Sequence, residues 1–414
     1  MRRPAAAALA AVAAALAMFT NTAPAEARKC PDSVGARSAI VIEVSTGIVA
    51  CERQADKRRS IGSTTKLMTA LVTLENAKLS QKFTASDYRP LPIESQIRLL
   101  PGERMKVSDL MRGLLLESGN DAAVTLAEGV SGSRKKFVRE MNRRARGLEL
   151  KNTHFANEIG LDEEGNYSSA RDLVTLAKVL RTNAFFKKVV DTPVGTLKSG
   201  DHERTFRNRN KLVSRYSWVN GVKTGHTRGA GYVLVGSGSK NGIQLITAVL
   251  GTDGEAARDS DTMALLNWAL PKFQRIRAVV EGKVMAKVPI RDRQGATLSL
   301  APDRTVRRII ERGKRDEVKL EVVAPDVVDG PIRSGQRLGR VEVRQDGRLV
   351  ATVALVAKSA VAAPTPTEKA KSWAARPYVV GGIGLLLAAT VLLVTRRART
   401  SRRRPNRREA PGAA

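Results

Sequence analysis

Ser63-Thr64-Thr65-Lys66, set within Ile61-Gly62-Ser63-Thr64-Thr65-Lys66-Leu67-Met68-Thr69-Ala70, is the stretch on which the reading of this chain turns. It follows a strand-like run and opens a helical one. Leu67, Ala70, Leu71 and Leu74 recur at i, i+3, i+4 and i+7, one face of an amphipathic helix. Ser63 therefore falls at the helix N-terminus, with Lys66 one turn on and on the same face. Free backbone N–H groups and the positive end of the helix dipole surround the hydroxyl there. A serine becomes a nucleophile when a neighbouring base takes its proton, and an amine of lowered pKa can be that base. The same four residues also read as a capping serine followed by an exposed lysine. The rest of the chain has to decide.

Working outward, 414 residues leave room for one large domain or two ordinary ones, and 42% hydrophobic content is that of a globular protein. A net charge of +31 invites a nucleic-acid reading, but the two ends place much of the charge elsewhere. Met1-Arg2-Arg3-Pro4, an Ala-rich apolar run to Phe19, and Ala25-Glu26-Ala27 follow the order of a basic n-region, an h-region and a cleavage site. Tyr378 to Thr395 is an uncharged, mostly apolar run, followed by Arg396, Arg397, Arg399, Arg402, Arg403, Arg404, Arg407 and Arg408. It is at the short end of what spans a bilayer, and by the positive-inside rule its tail is cytoplasmic. The body is then extracytoplasmic, which argues against nucleic acid as a partner and favours an anionic surface such as lipid headgroups or wall polymer. In that compartment Cys30 and Cys51, the two cysteines, can form a disulfide.

Between the ends, Ala39 to Val44 and Ile48 to Cys51 read as strands around a Ser45-Thr46-Gly47 turn. Helical pattern covers 108–117, breaks at Ser118-Gly119-Asn120, and resumes from Asp121; a further helix runs from about Lys135 to Leu148. Ser168 or Ser169 caps another helix at Ser169-Ala170-Arg171-Asp172. The stretch 82–102 is polar and irregular, and 185–212 is weakly patterned. Tyr232 to Val235 and Ile243 to Leu250 are strands joined through Ser239-Lys240-Asn241-Gly242, and Glu255 to Leu270 is a helix. Beyond Phe273 short alternating runs replace helices, as in Val318 to Val322 and in Val341 to Val343 paired with Leu349 to Val353. The expected organisation is a signal peptide (1–27), a catalytic domain (28–272), an all-β domain (273–360), a linker (361–377), a membrane helix (378–395) and an Arg-rich tail (396–414).

Two further elements join the first. Ser118-Gly119-Asn120 sits at a helix break, where a loop can project a hydroxyl and an amide into a cleft. Lys223-Thr224-Gly225 lies on a strand, with a cation, a hydroxyl and, at Gly225, room for a substrate backbone. Each alone is an ordinary turn. The order S-x-x-K, then S-x-N about 55 residues later, then K-T-G about 105 after that, marks penicillin-binding proteins and class A β-lactamases. The chain resembles the low-molecular-mass penicillin-binding proteins, the serine-type D-Ala-D-Ala carboxypeptidases, over about Ala39 to Ala357. Further likeness lies in Gly160-Leu161-Asp162, Ser169 to Asp172, Asn208-Arg209-Asn210 and Lys223 to Tyr232.

The resemblance implies an α+β fold: an antiparallel sheet flanked by helices, a helical lobe, a small all-β domain and one C-terminal transmembrane helix. It implies Ser63 as the acylated nucleophile, Lys66 as its base, Ser118 as a proton relay and Asn120 as holder of the substrate amide. Lys223 and Thr224 would bind the substrate carboxylate, and the backbone N–H groups of Ser63 and His226 would form an oxyanion hole. Arg258 and Arg209 align with active-site arginines of the family. Two nearby ammonium groups and burial would lower the pKa of Lys66. The implied activity removes the terminal D-alanine from peptidoglycan stem peptides, with β-lactams as trapped inhibitors and with no cofactor and no metal. A D,D-endopeptidase, a class A-like β-lactamase and a non-enzymatic wall-binding scaffold are the alternatives. Three positions depart from the family pattern: Gly62 where Ala is commoner, Glu117 before the S-x-N, and Asn220 where Asp is often found.

Overall fold

The structure, a computed structural model, describes residues 28–401 apart from 294. The expected signal peptide and the last thirteen residues of the arginine-rich tail lie outside the described residues. The chain divides into two compact units, one ending at Arg275 and the other beginning at Ile276.

The first unit is built on a five-stranded antiparallel sheet. Its strands are β1 (Ser38–Glu43) and β2 (Val49–Arg53), then, far along the chain, β7 (Val219–Thr227), β8 (Gly231–Lys240) and β9 (Ile243–Thr252). Their order is β2-β1-β9-β8-β7. Cys30 and Cys51 form a disulfide that ties the N-terminal segment to β2. The β8–β9 hairpin closes through Asn241 and Gly242 alone, both at positive φ (55° and 78°). That conformation is what a two-residue turn between right-twisted strands demands, and Asn-Gly adopts it readily.

Helices cover the sheet and fill the other lobe. They are α1 (Lys66–Asn76), α2 (Val107–Arg112), α3 (Asn120–Ser131), α4 (Arg134–Gly147), α5 (Ala170–Leu180), α6 (Ala184–Val190), the single turn α7 (Leu212–Arg215) and α8 (Glu255–Ala269). Of the two serines offered as a cap for α5, Ser169 is the one used, its Oγ accepting from the Asp172 N–H. Apolar residues of α1, α2, α3, α5 and the sheet, such as Leu67, Leu110, Leu126, Leu173 and Ile246, are fully buried in one core.

Two small hairpins were not evident from the sequence: β3 (Lys82–Thr84) with β4 (Arg104–Lys106), and β5 (Val194–Leu197) with β6 (Arg204–Arg207). Strands of three and four residues are too short to show a period. A buried ion pair ties the two hairpins together, with both Glu103 carboxylate oxygens accepting from Arg204 at 2.8 Å.

The second unit contains a five-stranded antiparallel sheet. From the unit boundary onward the described residues form seven strands, two of them outside that sheet: β10 (Phe273–Val279), which spans the boundary, β11 (Ala286–Pro289), β12 (Thr297–Pro302), β13 (Val306–Glu311), β14 (Val318–Val323), β15 (Arg337–Gln345) and β16 (Arg348–Ala357). The sheet order is β11-β12-β16-β15-β14, and β10 pairs with β13. Alternate residues of β15 and β16 (Val341, Val343, Val353, Leu355) point into its core.

The stretch expected to be a linker is partly helical. Residues Pro366–Ala374 form α9, opened by a capping box in which Thr365 and Glu368 satisfy each other's backbone N–H groups. Pro366 does not break this helix, because it stands at the first helical position where no N–H is needed. Helix α10 (Pro377–Ser401) follows, and its segment Tyr378–Ala398 is long and apolar enough to cross a membrane. The helix therefore continues past Thr395 into the first arginines.

Candidate active site

The three sequence elements meet in the first unit. Residues 62–65 form a 3-10 turn leading directly into α1, which begins at Lys66. The side chains of Ser63 and Lys66 thus share one face, and Lys66 Nζ lies 3.0 Å from Ser63 Oγ. Strand β7 crosses this turn, so that a Cβ built on Gly225 would fall 2.6 Å from the Ile61 carbonyl oxygen and 3.1 Å from the Ser63 nitrogen. The absent side chain of Gly225 is therefore used first by the Ile61–Thr64 turn. Gly62 has φ +53°, and a Cβ there would come within 2.9 Å of the His226 nitrogen. The backbones of Gly62, Ser63 and His226 are thereby packed side by side.

The S-x-N element is delivered by an irregular helix. Helix α2 widens into a π-helical turn at Gly113–Glu117, which ends at Ser118 in the left-handed region (φ 68°) before α3 starts at Asn120. Such single π-turns occur frequently at functional sites. Ser118 and Asn120 are nearly buried. Asn120 Oδ1 accepts from Lys66 Nζ at 2.6 Å, and Ser118 Oγ accepts from Lys223 Nζ at 2.9 Å. Lys223 also donates to the Thr224 carbonyl at 2.9 Å. Asn210 braces the beginning of β7 by donating to the Gly221 carbonyl at 2.8 Å, while Asn208 donates to Val190 O at 3.0 Å. Arg181 donates to the Asn220 carbonyl, and the Asn220 side-chain oxygen is buried with no hydrogen-bond partner among the described residues.

Lys66 is completely buried, and its third N–H reaches the Ile159 carbonyl at 2.5 Å. Burial brings its pKa down from 10.5 to about 7. The carboxylates of Glu158, Glu94 and Asp121 pull against that, and the Arg209 charge adds to it. Lys223 is held well below its ordinary value, first by burial and then by the charges of Lys66, Arg209 and Arg258. A buried amine near neutrality is poised to take a hydroxyl proton.

The loop that supplies Ile159 is itself anchored over the site. Asp162 accepts from the Thr227 hydroxyl at 2.7 Å and from the Gly229 N–H at 2.8 Å, fastening the Gly160-Leu161-Asp162 segment to the β7–β8 turn.

The two arginines stand in ion pairs of the chain's own. Arg258 is buried, with Nη2 2.7 Å from Asp259 Oδ1 and 3.1 Å from Glu255 Oε1. Arg209 is half-exposed and 2.5 Å from Glu117 Oε1. Both charges act on Lys223. Of the histidines, His226 stacks its ring on Tyr232 at 4.0 Å, and His154 bonds the Gly165 carbonyl through Nδ1.

One residue of the site escaped the sequence reading. Glu94, on the irregular 85–103 stretch, accepts from Asn120 Nδ2 at 2.6 Å and from the Tyr88 hydroxyl at 2.5 Å. Burial opposes its charge, but these two bonds keep the Glu94 carboxyl below the usual range. A lone glutamate between prolines and apolar residues carries no spacing signal. Among the described residues no three of His, Cys, Asp and Glu gather where they could hold a metal ion.

Comparison with known proteins places this geometry in context. The family profile described as D-alanyl-D-alanine carboxypeptidase matches residues 22–254, and that described as the C-terminal domain of penicillin-binding protein 5 matches residues 273–363. The D-alanyl-D-alanine carboxypeptidase DacF of Bacillus subtilis is 34% identical over 330 residues, 78% of this chain and 85% of the relative. The D-alanyl-D-alanine carboxypeptidase of Streptomyces sp. strain K15 is 36% identical over 286 residues, 65% of this chain and 98% of the relative. Among solved structures, penicillin binding protein 5 from Haemophilus influenzae is similar with a TM-score of 0.59 at 29% identity, covering 80% of this chain and 99% of that one. The Streptomyces K15 DD-transpeptidase is similar with a TM-score of 0.56 at 36% identity, covering 58% and 99%.

Proposed function

The chain belongs to the D-alanyl-D-alanine carboxypeptidase family, and from that premise we propose that Ser63 carries out its reaction through an acyl-enzyme with Lys66 as base. The single observation that carries this assignment is the bond of 3.0 Å between Lys66 Nζ and Ser63 Oγ, on a lysine that is buried and near neutrality.

With Lys66 neutral, the Ser63 O–H donates to Nζ and the oxygen attacks the carbonyl carbon of the D-Ala-D-Ala peptide bond. The proton passes to Lys66, and the carbonyl oxygen takes up negative charge beside the N–H groups of Ser63 and His226. One such donor is worth about a hundredfold or more in rate. The C–N bond then breaks, and Ser118, bonded to Lys223, relays the proton from Lys66 to the departing amine, so that Lys66 is again the neutral amine and Ser118 again a hydroxyl. Water completes hydrolysis of the ester. Asn120 holds the acyl-side amide, and Lys223 with Thr224 faces the terminal carboxylate, with Arg209 and Arg258 adding positive potential. In a β-lactam the broken C–N bond belongs to a ring, so the leaving amine stays tethered and the ester persists.

The amino-terminal segment and α10 support export and anchoring: catalytic unit outside the cytoplasmic membrane, arginine-rich end inside. Peptidoglycan stem peptides ending in D-Ala-D-Ala are then the substrate.

The test uses the full chain in detergent, a fluorescent penicillin and a pentapeptide ending in D-Ala-D-Ala. Durable labelling and D-alanine release, both lost in Ser63→Ala, are the expected result. Absence of labelling would sink the assignment. Rapid penicillin turnover without D-alanine release would mean a β-lactamase, and cleavage confined to cross-linked dimers an endopeptidase. The Streptomyces K15 structure bears the name transpeptidase, so transfer of the acyl group to an added amine is measured alongside.

A further inference from the structure

Asn120 is held at both ends of its amide. Nδ2 donates to Glu94 Oε2 at 2.6 Å, and Oδ1 accepts from Lys66 Nζ at 2.6 Å. A carboxylate only accepts and an ammonium only donates. Turning the amide over would set Oδ1 against Glu94 and Nδ2 against Lys66, replacing two attractive contacts with two repulsive ones. Glu94 is itself fixed. The Tyr88 hydroxyl donates to the same Oε2 at 2.5 Å, and the Leu91 N–H reaches Oε1 at 3.2 Å. The Arg134 guanidinium lies 5.3 Å over the Tyr88 ring.

We propose that Glu94 is a positioning residue for acylation: it dictates which end of the Asn120 amide faces Lys66 and leaves the second Asn120 N–H for the substrate's acyl side. This rests on the serine-acylation reading above. Glu94 also acts on Lys66 through space. Lys66 is faced by Ser63 from its own turn, by Asn120 and Asp121 from α3, by Glu158 and the Ile159 carbonyl from the loop before α5, by Arg209 after β6 and by Lys223 on β7. Glu158, Glu94 and Asp121 favour its ammonium form, and Arg209 disfavours it. Lys66 in turn disfavours the charge of Lys223. Removing the Glu94 charge makes the neutral amine available at lower pH.

The experiment measures penicillin acylation rates and kcat/KM for the D-Ala-D-Ala pentapeptide against pH, in the full chain, for wild type, Glu94→Gln and Glu94→Ala. Glu94→Gln keeps the size and an accepting oxygen but loses the charge, so its acid limb is expected to move to lower pH with a modest loss at the plateau. Glu94→Ala releases Asn120 and is expected to lose about tenfold or more at the plateau, the scale of one hydrogen bond to a charged group. A merely structural Glu94 would lower the plateau or the melting temperature and leave the limb in place. If Glu94→Ala does not fold, Glu94→Gln decides. An active wild type with Glu94→Gln unmoved in limb and within twofold in rate overturns this proposal alone. A wild type that neither labels nor releases D-alanine overturns the acylation reading with it.

Discussion

Lys66 Nζ stands 3.0 Å from Ser63 Oγ while its two other N–H positions are taken by Asn120 Oδ1 and the Ile159 carbonyl. The side chain cannot swing away, so the one direction left open is toward the serine. As an ammonium Lys66 donates to Ser63; as an amine it accepts from it.

With Lys66 as the proposed base, its protonation should set the acid limb of the reaction. Its pKa is brought down to about 7 by burial. The rate of penicillin acylation should rise with pH through that value, falling tenfold per unit on the acid side. Lys66→Arg, which cannot lose its proton in this range, should abolish acylation at every pH while thermal unfolding still reports a folded chain. A flat rate from pH 5 to 9 would remove Lys66 as the base.

Gly225 should tolerate no side chain. A Cβ there meets the Ile61 carbonyl at 2.6 Å and the Ser63 nitrogen at 3.1 Å. Gly225→Ala pushes β7 away from the turn that presents Ser63, and a shift of about 1 Å can cost a hundredfold. Labelling by fluorescent penicillin should slow by about that factor with melting temperature changed far less. Wild-type labelling in the variant would show that the turn adapts.

The Glu103–Arg204 pair should matter for stability. The Glu103 side chain is fully buried and takes both Arg204 nitrogens at 2.8 Å. Arg204→Ala strands the carboxylate, and such losses run to about 3–5 kcal/mol. Burial opposes the Glu103 charge, but Arg204 and the N–H groups of Leu100 and Asp201 outweigh it and hold the carboxyl below its usual value. The pair's contribution is therefore present above the ordinary carboxylate range and lost as pH falls through the lowered folded value. Denaturant unfolding of wild type and Arg204→Ala should diverge at neutral pH and converge toward the acid end. Equal stability at pH 7 would refute this.

Cys30 and Cys51 close a loop with a separation of 21 residues. Chain-entropy arguments give about 3 kcal/mol for a loop of this size. Dithiothreitol, or Cys51→Ser, should lower the melting temperature while leaving penicillin labelling of the folded fraction intact, because the bridge lies on the β2 edge of the sheet and β7 on the other. Unchanged melting would mean that the segment before β1 is held by its other contacts, among them the Glu52 N–H to Arg28 carbonyl bond at 2.8 Å.

The three motif elements that meet around Lys66 were legible from residue types and spacing, because the chemistry proposed for them needs particular side chains in a particular chain order. So were the long strands, the long helices, the alternating texture after Phe273 and the apolar run near the C-terminus, each of which repeats a period often enough to be seen. Within the stretch 361–377, Thr365-Pro366-Thr367-Glu368 already contained the capping box that opens α9. What only the tertiary structure decided is how groups far apart in sequence meet. Gly225 gives its space to the Ser63 turn, Arg258 and Arg209 arrive already paired with Asp259 and Glu117, and Glu94 reaches Asn120 from an unpatterned loop. Periodicity reports the face an element buries, whereas these contacts depend on where the backbone carries single residues after folding, and a single residue has no period.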